Sequence, residues 1–239
     1  MRTPSDLSGE LTRDAPPVFG PELGEFPEGE QQAAHDADGE AMKTGTTTVG
    51  LATDDAVVLA TDMRASLGNM VSSKNVQKVE QVHPTGALTI AGSVSPAQNL
   101  ISTLQAETNL YEARRGKDMS MEALSTLTGN LLRSGAFLIV SPILGGVDAE
   151  GPHIYSIDPL GGTTEEEYTV TGSGSQYALG VLEQEFDDDL SVEEAETLVA
   201  RAIHSAVERD LASGNGLNLA VVTEEDVEIT KHEEFDDLL

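Results

Sequence analysis

Four helical stretches fall in two adjacent pairs along this chain, and strand-forming runs lie before, between and after the pairs. The first pair opens with SPAQNLISTLQAETNLYEARRG. Pro96 sits near its first turn, Leu100, Ile101, Leu104, Leu110 and Tyr111 recur at helical spacing, and Arg114-Arg115-Gly116 closes it. SMEALSTLTGNLLRSG, over residues 120–135, is its companion. The second pair is a helix from about Gln176 to Glu185 and one opened by the capping box Ser191-Val-Glu-Glu194. That last helix carries Val192, Ala195, Leu198, Val199, Ala202, Ile203, Ala206 and Val207 on one face. The strands before the pairs are TTTVGLAT and AVVLATD, parted at Asp54-Asp55 as in a hairpin, and LTIAGS over 88–93. AFLIVSPIL, HIYSID and YTVTG lie between the pairs, and LNLAVVT (217–223) and DVEIT (226–230) follow them. A parallel doubly wound sheet needs strand and helix to alternate strictly, and here they do not. Helices in pairs between antiparallel runs fit two sheets face to face with helices outside, an α+β sandwich of four layers, αββα.

Residues 1–45 read differently. They hold ten acidic and three basic residues, and no hydrophobic period of 2 or 3.6 survives. Gly, Pro, Glu and Gln dominate, a composition that buries too little apolar surface to stay ordered. One apolar island, VFGPELGEF from Val18 to Phe26, interrupts it, as residual stickiness in a tail or as a docking element. The folded domain is expected over 46–239, ending in a solvated acidic tail, HEEFDDLL.

Charge and composition exclude several classes. Thirteen Lys plus Arg stand against 42 Asp plus Glu, a formal charge of −29. Phosphates are repelled by such a surface, which argues against nucleic acid or an anionic membrane as partner. So many carboxylates fit a protein kept soluble in concentrated salt, although an acidic protein of ordinary surroundings has the same arithmetic. There are no cysteines, which excludes disulfides, thiolate catalysis and zinc-thiolate sites. MRTPSDLSGELTRDAPP lacks an apolar signal core, and no run of about 18 apolar residues exists, so a soluble, cytoplasmic protein is expected.

The change of text falls at Gly45-Thr46. With the first 45 residues removed, Thr46 becomes the amino terminus. A threonine hydroxyl is a poor nucleophile without an adjacent base. A free α-amine, with a pKa of about 7.7–8.0, is such a base on the same residue. Gly45 lets the backbone approach the scissile carbonyl closely. Asp62 ends the second strand run, and Lys78 lies in KNVQKVEQ. A lysine near the nucleophile lowers the amine's pKa, and an aspartate beside it keeps the lysine charged. On that logic Lys78→Ala is fatal and Asp62→Asn milder. Gly92 in IAGS has an N–H suited to an oxyanion. Taken singly, each has a plainer reading: β-propensity, a strand-end turn, a solvated lysine. TGSGS (171–175) is no dinucleotide loop, because Ala178 and Leu179 follow where a glycine is needed. RDLASGNG (209–216) by itself reads as a helix end and turn. His35, His83, His153, His204 and His232 lack metal-ligand spacing, and Asp187-Asp188-Asp189 reads as a solvated loop. No cofactor or metal is expected.

TTTVG, ATDMRAS, KNVQKV, TIAGSV, TGSGSQYALGVLE and VERDLASGNG, in this order and spacing, resemble the catalytic β subunit of the archaeal proteasome core particle. The likeness spans residues 46–230. It implies an N-terminal-nucleophile hydrolase fold, with residues 1–45 as a propeptide removed by self-cleavage at Gly45-Thr46. It implies a threonine endopeptidase with Thr46 as nucleophile, its released amine acting as base through a water. Asp62 and Lys78 match the family's acidic and lysine positions, and Gly92 its oxyanion donor. Ser173, Asp210 and Ser213 match the cluster that supports the terminal threonine, and Arg64 a supporting arginine. The family's primary pocket corresponds to Ala65, Val76, Ile90, Ala91 and Val94, with Glu80 nearby, which suggests chymotrypsin-like cleavage after Leu, Phe or Tyr. Implied partners are further β subunits in seven-membered rings, α-subunit rings, an unfolding ATPase and unfolded protein substrates. A non-catalytic ring subunit would lack the Thr, Asp and Lys set. The peptidase of the bacterial two-component ATP-dependent protease is shorter and lacks RDLASGNG in this form.

Overall fold

Residues 45–135, 137, 139–236 and 238–239 are described by the computed structural model of the chain. Residues 1–44, with the Val18 to Phe26 island, and Ala136, Leu138 and Asp237 lie outside the described residues. β1 (Thr47–Ala52) and β2 (Val57–Asp62) form the expected hairpin across Asp54-Asp55. β3 (Ala65–Leu67) and β4 (Met70–Ser73) make a small separate hairpin. β5 (Val79–His83) and β6 (Gly86–Thr89) lead to the first helix pair, α1 (Val94–Arg115) and α2 (Met121–Arg133). β7 (Ile143–Asp148), β8 (Gly151–Ile157), β9 (Thr163–Glu166) and β10 (Tyr168–Gly172) come next. The second pair, α3 (Ser175–Glu185) and α4 (Val192–Val207), precedes β11 (Leu217–Val222) and β12 (Val227–His232).

Two antiparallel five-stranded sheets result, ordered β10-β1-β2-β11-β12 and β5-β6-β7-β8-β9. Between them lies an aliphatic layer of Val57, Leu59, Val79, Ala87, Ile143, Val147, Ile154, Ala220 and Val222. Gly50 and Gly145 bring the sheets close: a β-carbon at Gly145 would come within 2.6 Å of Val57. The other face of the first sheet packs on α3 and α4 through Val49, Leu51, Val58, Leu182, Leu198 and Ile203. α1 and α2 cover the second sheet through Leu100, Leu104, Met121, Leu124, Leu88 and Leu144. The described residues therefore form the four-layer α+β sandwich that their element order predicts. The Ser191/Glu194 capping box forms, and Gly116 ends α1 in the left-handed region, its N–H donating to Glu112 O at 2.7 Å. Among the described residues no helix is long and apolar enough to cross a membrane.

Three local expectations give way. Only Ile143 and Leu144 of AFLIVSPIL enter a strand; ahead of them Val140 makes a single bridge to Gly92. LTIAGS leaves the ladder after Thr89, where Gly92 at φ +126° takes a conformation foreign to the pleat. The tail is not wholly solvated: Phe235 and Leu238, three apart in a turn, pack against the α4 side of the core. Phe235 lies with its ring 4.9 Å from that of His204.

Candidate active site

Thr46 lies one residue before β1, buried at the end of the first sheet. The β1–β10 register sets its surroundings: Thr47 faces Gly172, and the Ser173 N–H donates to Thr46 O at 2.8 Å. The Thr46 N–H in turn donates to Ser173 Oγ at 3.3 Å. Gly45 has no room for a side chain, since a β-carbon there would meet Ala212 Cβ at 1.8 Å. Its N–H donates to Ser66 Oγ at 3.2 Å. The Thr46 hydroxyl donates to Gly45 O at 2.7 Å, which holds the oxygen beside its own preceding carbonyl.

Asp62 ends β2 and is fully buried. Oδ1 accepts from the Thr47 N–H at 3.1 Å and from Lys78 Nζ at 2.7 Å. Oδ2 accepts from the Arg64 N–H at 3.0 Å and the Gly214 N–H at 2.9 Å. Four donors thus fix one carboxylate. Lys78, just ahead of β5, donates from the same Nζ to Thr46 Oγ1 at 3.0 Å. Burial pulls the Lys78 ammonium below the ordinary lysine range; the Asp62 charge and hydrogen bond oppose this, and Arg64 adds to it. A lysine so placed can exchange a proton with the threonine hydroxyl.

A second chain of polar groups leads away from Thr46. Ser173 Oγ donates to Asp210 Oδ2 at 2.5 Å, and Ser213 Oγ donates to the same oxygen at 2.7 Å. Ser213 Oγ also lies 2.7 Å from Thr47 Oγ1. Arg64 ties down the 209–216 turn, Nε donating to Asn215 Oδ1 at 3.0 Å and a terminal nitrogen to Leu211 O at 2.8 Å. Gly92 lines the same cavity as Thr46. Its bridge to Val140 uses the flanking Ser93 and Ser141 N–H groups, so its own N–H points away from that segment. A side chain at 92 would meet Ile139 O at 1.9 Å.

Gly45, Thr46, Ser66, Lys78 and Gly92 border a cavity of about 870 Å³. Ala65, Val76, Ile90 and Val94 line it, as does Glu80. Ala91 does not: it is buried, and its carbonyl accepts from the Ser141 N–H. Thr47, Ser66, Gly214 and Asn215 belong to the arrangement and were not singled out from sequence. The second threonine of TTT and the SGNG turn were the available signals. None of the described residues forms a cluster of three or more His, Asp or Glu able to hold a metal.

A family model described as proteasome subunit matches residues 42–222. The chain is 77% identical over 245 residues to the proteasome subunit beta of Halorubrum lacusprofundi, with both chains covered in full. To the proteasome subunits beta of Haloquadratum walsbyi and Haloferax volcanii it is 70% and 68% identical, again over the full length of each.

Proposed function

Because the chain belongs to the proteasome subunit family, we propose that it is a catalytic β subunit, a threonine endopeptidase made active by cutting its own Gly45-Thr46 bond. The observation that carries this reading is Lys78 Nζ, 3.0 Å from Thr46 Oγ1 and 2.7 Å from Asp62 Oδ1, with the hydroxyl 2.7 Å from the Gly45 carbonyl oxygen. In the maturing chain Lys78 acts in its neutral form, which burial makes accessible: its Nζ takes the Thr46 Oγ proton and the oxygen attacks the Gly45 carbonyl carbon. The C–N bond breaks, nitrogen takes a proton, and an ester joins Gly45 to the Thr46 oxygen. Water cleaves that ester, releasing residues 1–45 as a propeptide and leaving Thr46 with a free amine. In turnover the amine takes the hydroxyl proton through a water, and Thr46 Oγ attacks a substrate peptide carbonyl in place of that of Gly45; the peptide C–N bond breaks as its nitrogen takes the proton and leaves, and water hydrolyses the acyl-enzyme ester. Gly92 N–H is the donor to the oxyanion, a contact worth about 2.7–4 kcal/mol in comparable sites. Ser173, Asp210 and Ser213 hold the threonine and its water.

The aliphatic wall of Ala65, Val76, Ile90 and Val94 favours large apolar side chains, so cleavage is mainly chymotrypsin-like. As part of the same reading, the subunit assembles in seven-membered β rings between α rings, is fed unfolded protein by an ATPase, and works in the cytoplasm without a cofactor. The names of the relatives support the β-subunit assignment. Mass spectrometry of the mature protein tests it directly. The expected amino terminus is Thr46, and Thr46→Ala is expected to keep the full-length chain. Maturation of Thr46→Ala without active neighbours would overturn self-cleavage.

A further inference from the structure

Two charged side chains, Lys78 and Glu80, stand among the residues that line the cavity. Strand parity puts them together: 78 and 80 share one face, while Val79 between them faces the layer between the sheets. Their charges have different fates. Lys78 is paired with Asp62 at 2.7 Å, whereas Glu80 has no ion pair among the described residues. Across the ladder it faces Leu88, and every α1 residue on the cavity, Gln98, Ser102 and Gln105 among them, is uncharged. Glu80 is half-buried beside an aliphatic wall. A carboxylate so placed is poorly screened and lacks a counter-charge, which a cationic occupant would supply.

We infer that Glu80 gives this cavity a second specificity, admitting Lys or Arg side chains whose charged ends meet the carboxylate and whose apolar stems lie on the aliphatic wall. Long basic side chains divide in this way, stem on apolar surface and head on a polar group. Acidic side chains are excluded by the same charge. The inference rests on the proposed peptidase reading and names a substrate class for that site. Burial raises the Glu80 carboxyl above its ordinary range, partly offset by Gln77, so the attraction fades at mildly acid pH. Besides Lys78, no titratable group faces it from α1 or β6 within the cavity lining.

The test uses mature assembled particles and matched fluorogenic peptides ending in Tyr, Arg or Glu, at one fixed salt concentration. In Glu80→Gln the Arg-to-Tyr ratio of kcat/KM is expected to fall at least about tenfold and the Glu-to-Tyr ratio to rise. In the unmutated particle the Arg-to-Tyr ratio is expected to fall between about pH 8 and about pH 5, because kcat/KM reports ionisation of the free enzyme. Taking a ratio cancels the titration of the groups at Thr46, which both peptides share. No cleavage of any peptide by the unmutated particle would refute the peptidase reading itself. Cleavage of the Tyr peptide with an Arg-to-Tyr ratio unmoved by Glu80→Gln would overturn the role of Glu80 and leave that reading standing. Should the variant not assemble, a pH-independent ratio in the unmutated particle overturns it equally.

Discussion

Lys78 serves two oxygens with one ammonium, and that geometry separates its charge from its proton. Arginine keeps the charge and can pair with Asp62, but its guanidinium does not release a proton in the working range. Lys78→Arg is therefore expected to lower processing and peptide turnover by about 10²- to 10⁴-fold, the usual worth of a positioned acid or base. Lys78→Ala should do at least as much. Gel analysis of the precursor and kcat/KM with a Tyr peptide check both; near-normal turnover in Lys78→Arg would reduce the lysine to a charge. Asp62→Asn was expected from sequence to be the milder change. The structure adds a cost in stability, because all four of its contacts are donors. An amide can turn only one oxygen toward them and leaves Lys78 buried without its counter-charge. A loss of about 3–5 kcal/mol is expected, seen as a lowered urea midpoint. Thr46, Asp62 and Lys78 were legible as residues with a possible chemistry. Glu80 was legible only as a residue near the pocket.

At the scale of elements, β7, β8 and β9 are fastened by one histidine. His153 on β8 meets Asp148 of β7 through Nε2 at 3.2 Å and Glu165 of β9 through Nδ1 at 2.6 Å. Asp148 also accepts the Met121 N–H at 2.7 Å, so the same carboxylate caps the start of α2. Burial pulls the imidazole down, but the Glu165 hydrogen bond and the two carboxylate charges outweigh it, and its pKa is raised. A folded pKa above the unfolded one adds stability that is fully present below about pH 6.5 and is lost as pH rises through the folded value. His153→Gln should accordingly lower the urea midpoint at about pH 5.5 and matter much less at about pH 9, at equal salt. A difference of the same size at both would leave only packing. β9 itself was invisible in the sequence. TTEE has no alternation and all four residues are exposed, so pairing with β8 makes it a strand, not its own pattern.

For the whole molecule, the formal charge of −29 means that folding gathers carboxylates against their mutual repulsion. At about 1 M salt the screening length falls to about 3 Å, shorter than most spacings between surface charges. Tm is expected to rise steeply as KCl is raised from about 0.1 M to about 2 M, by differential scanning calorimetry; a flat response would remove the case for a saline habitat. The order of elements, the capping box of α4 and the β1–β2 hairpin were all set within the sequence. Each depends on neighbours a few residues apart, where periodicity, caps and turn residues act. What the tertiary structure decided is long-range. Lys78 meets Thr46 across 32 positions, and the Thr46 N–H meets Ser173 Oγ across 127. Ala91 stays outside the cavity that Ile90 lines, Phe235 is folded back onto the core, and Glu80 is left in the cavity with no ion-pair partner among the described residues. Such meetings depend on strand register and parity, and a slip of one residue sends every side chain to the opposite face. That register is settled by how two sheets pack against each other, which no local pattern of residues carries.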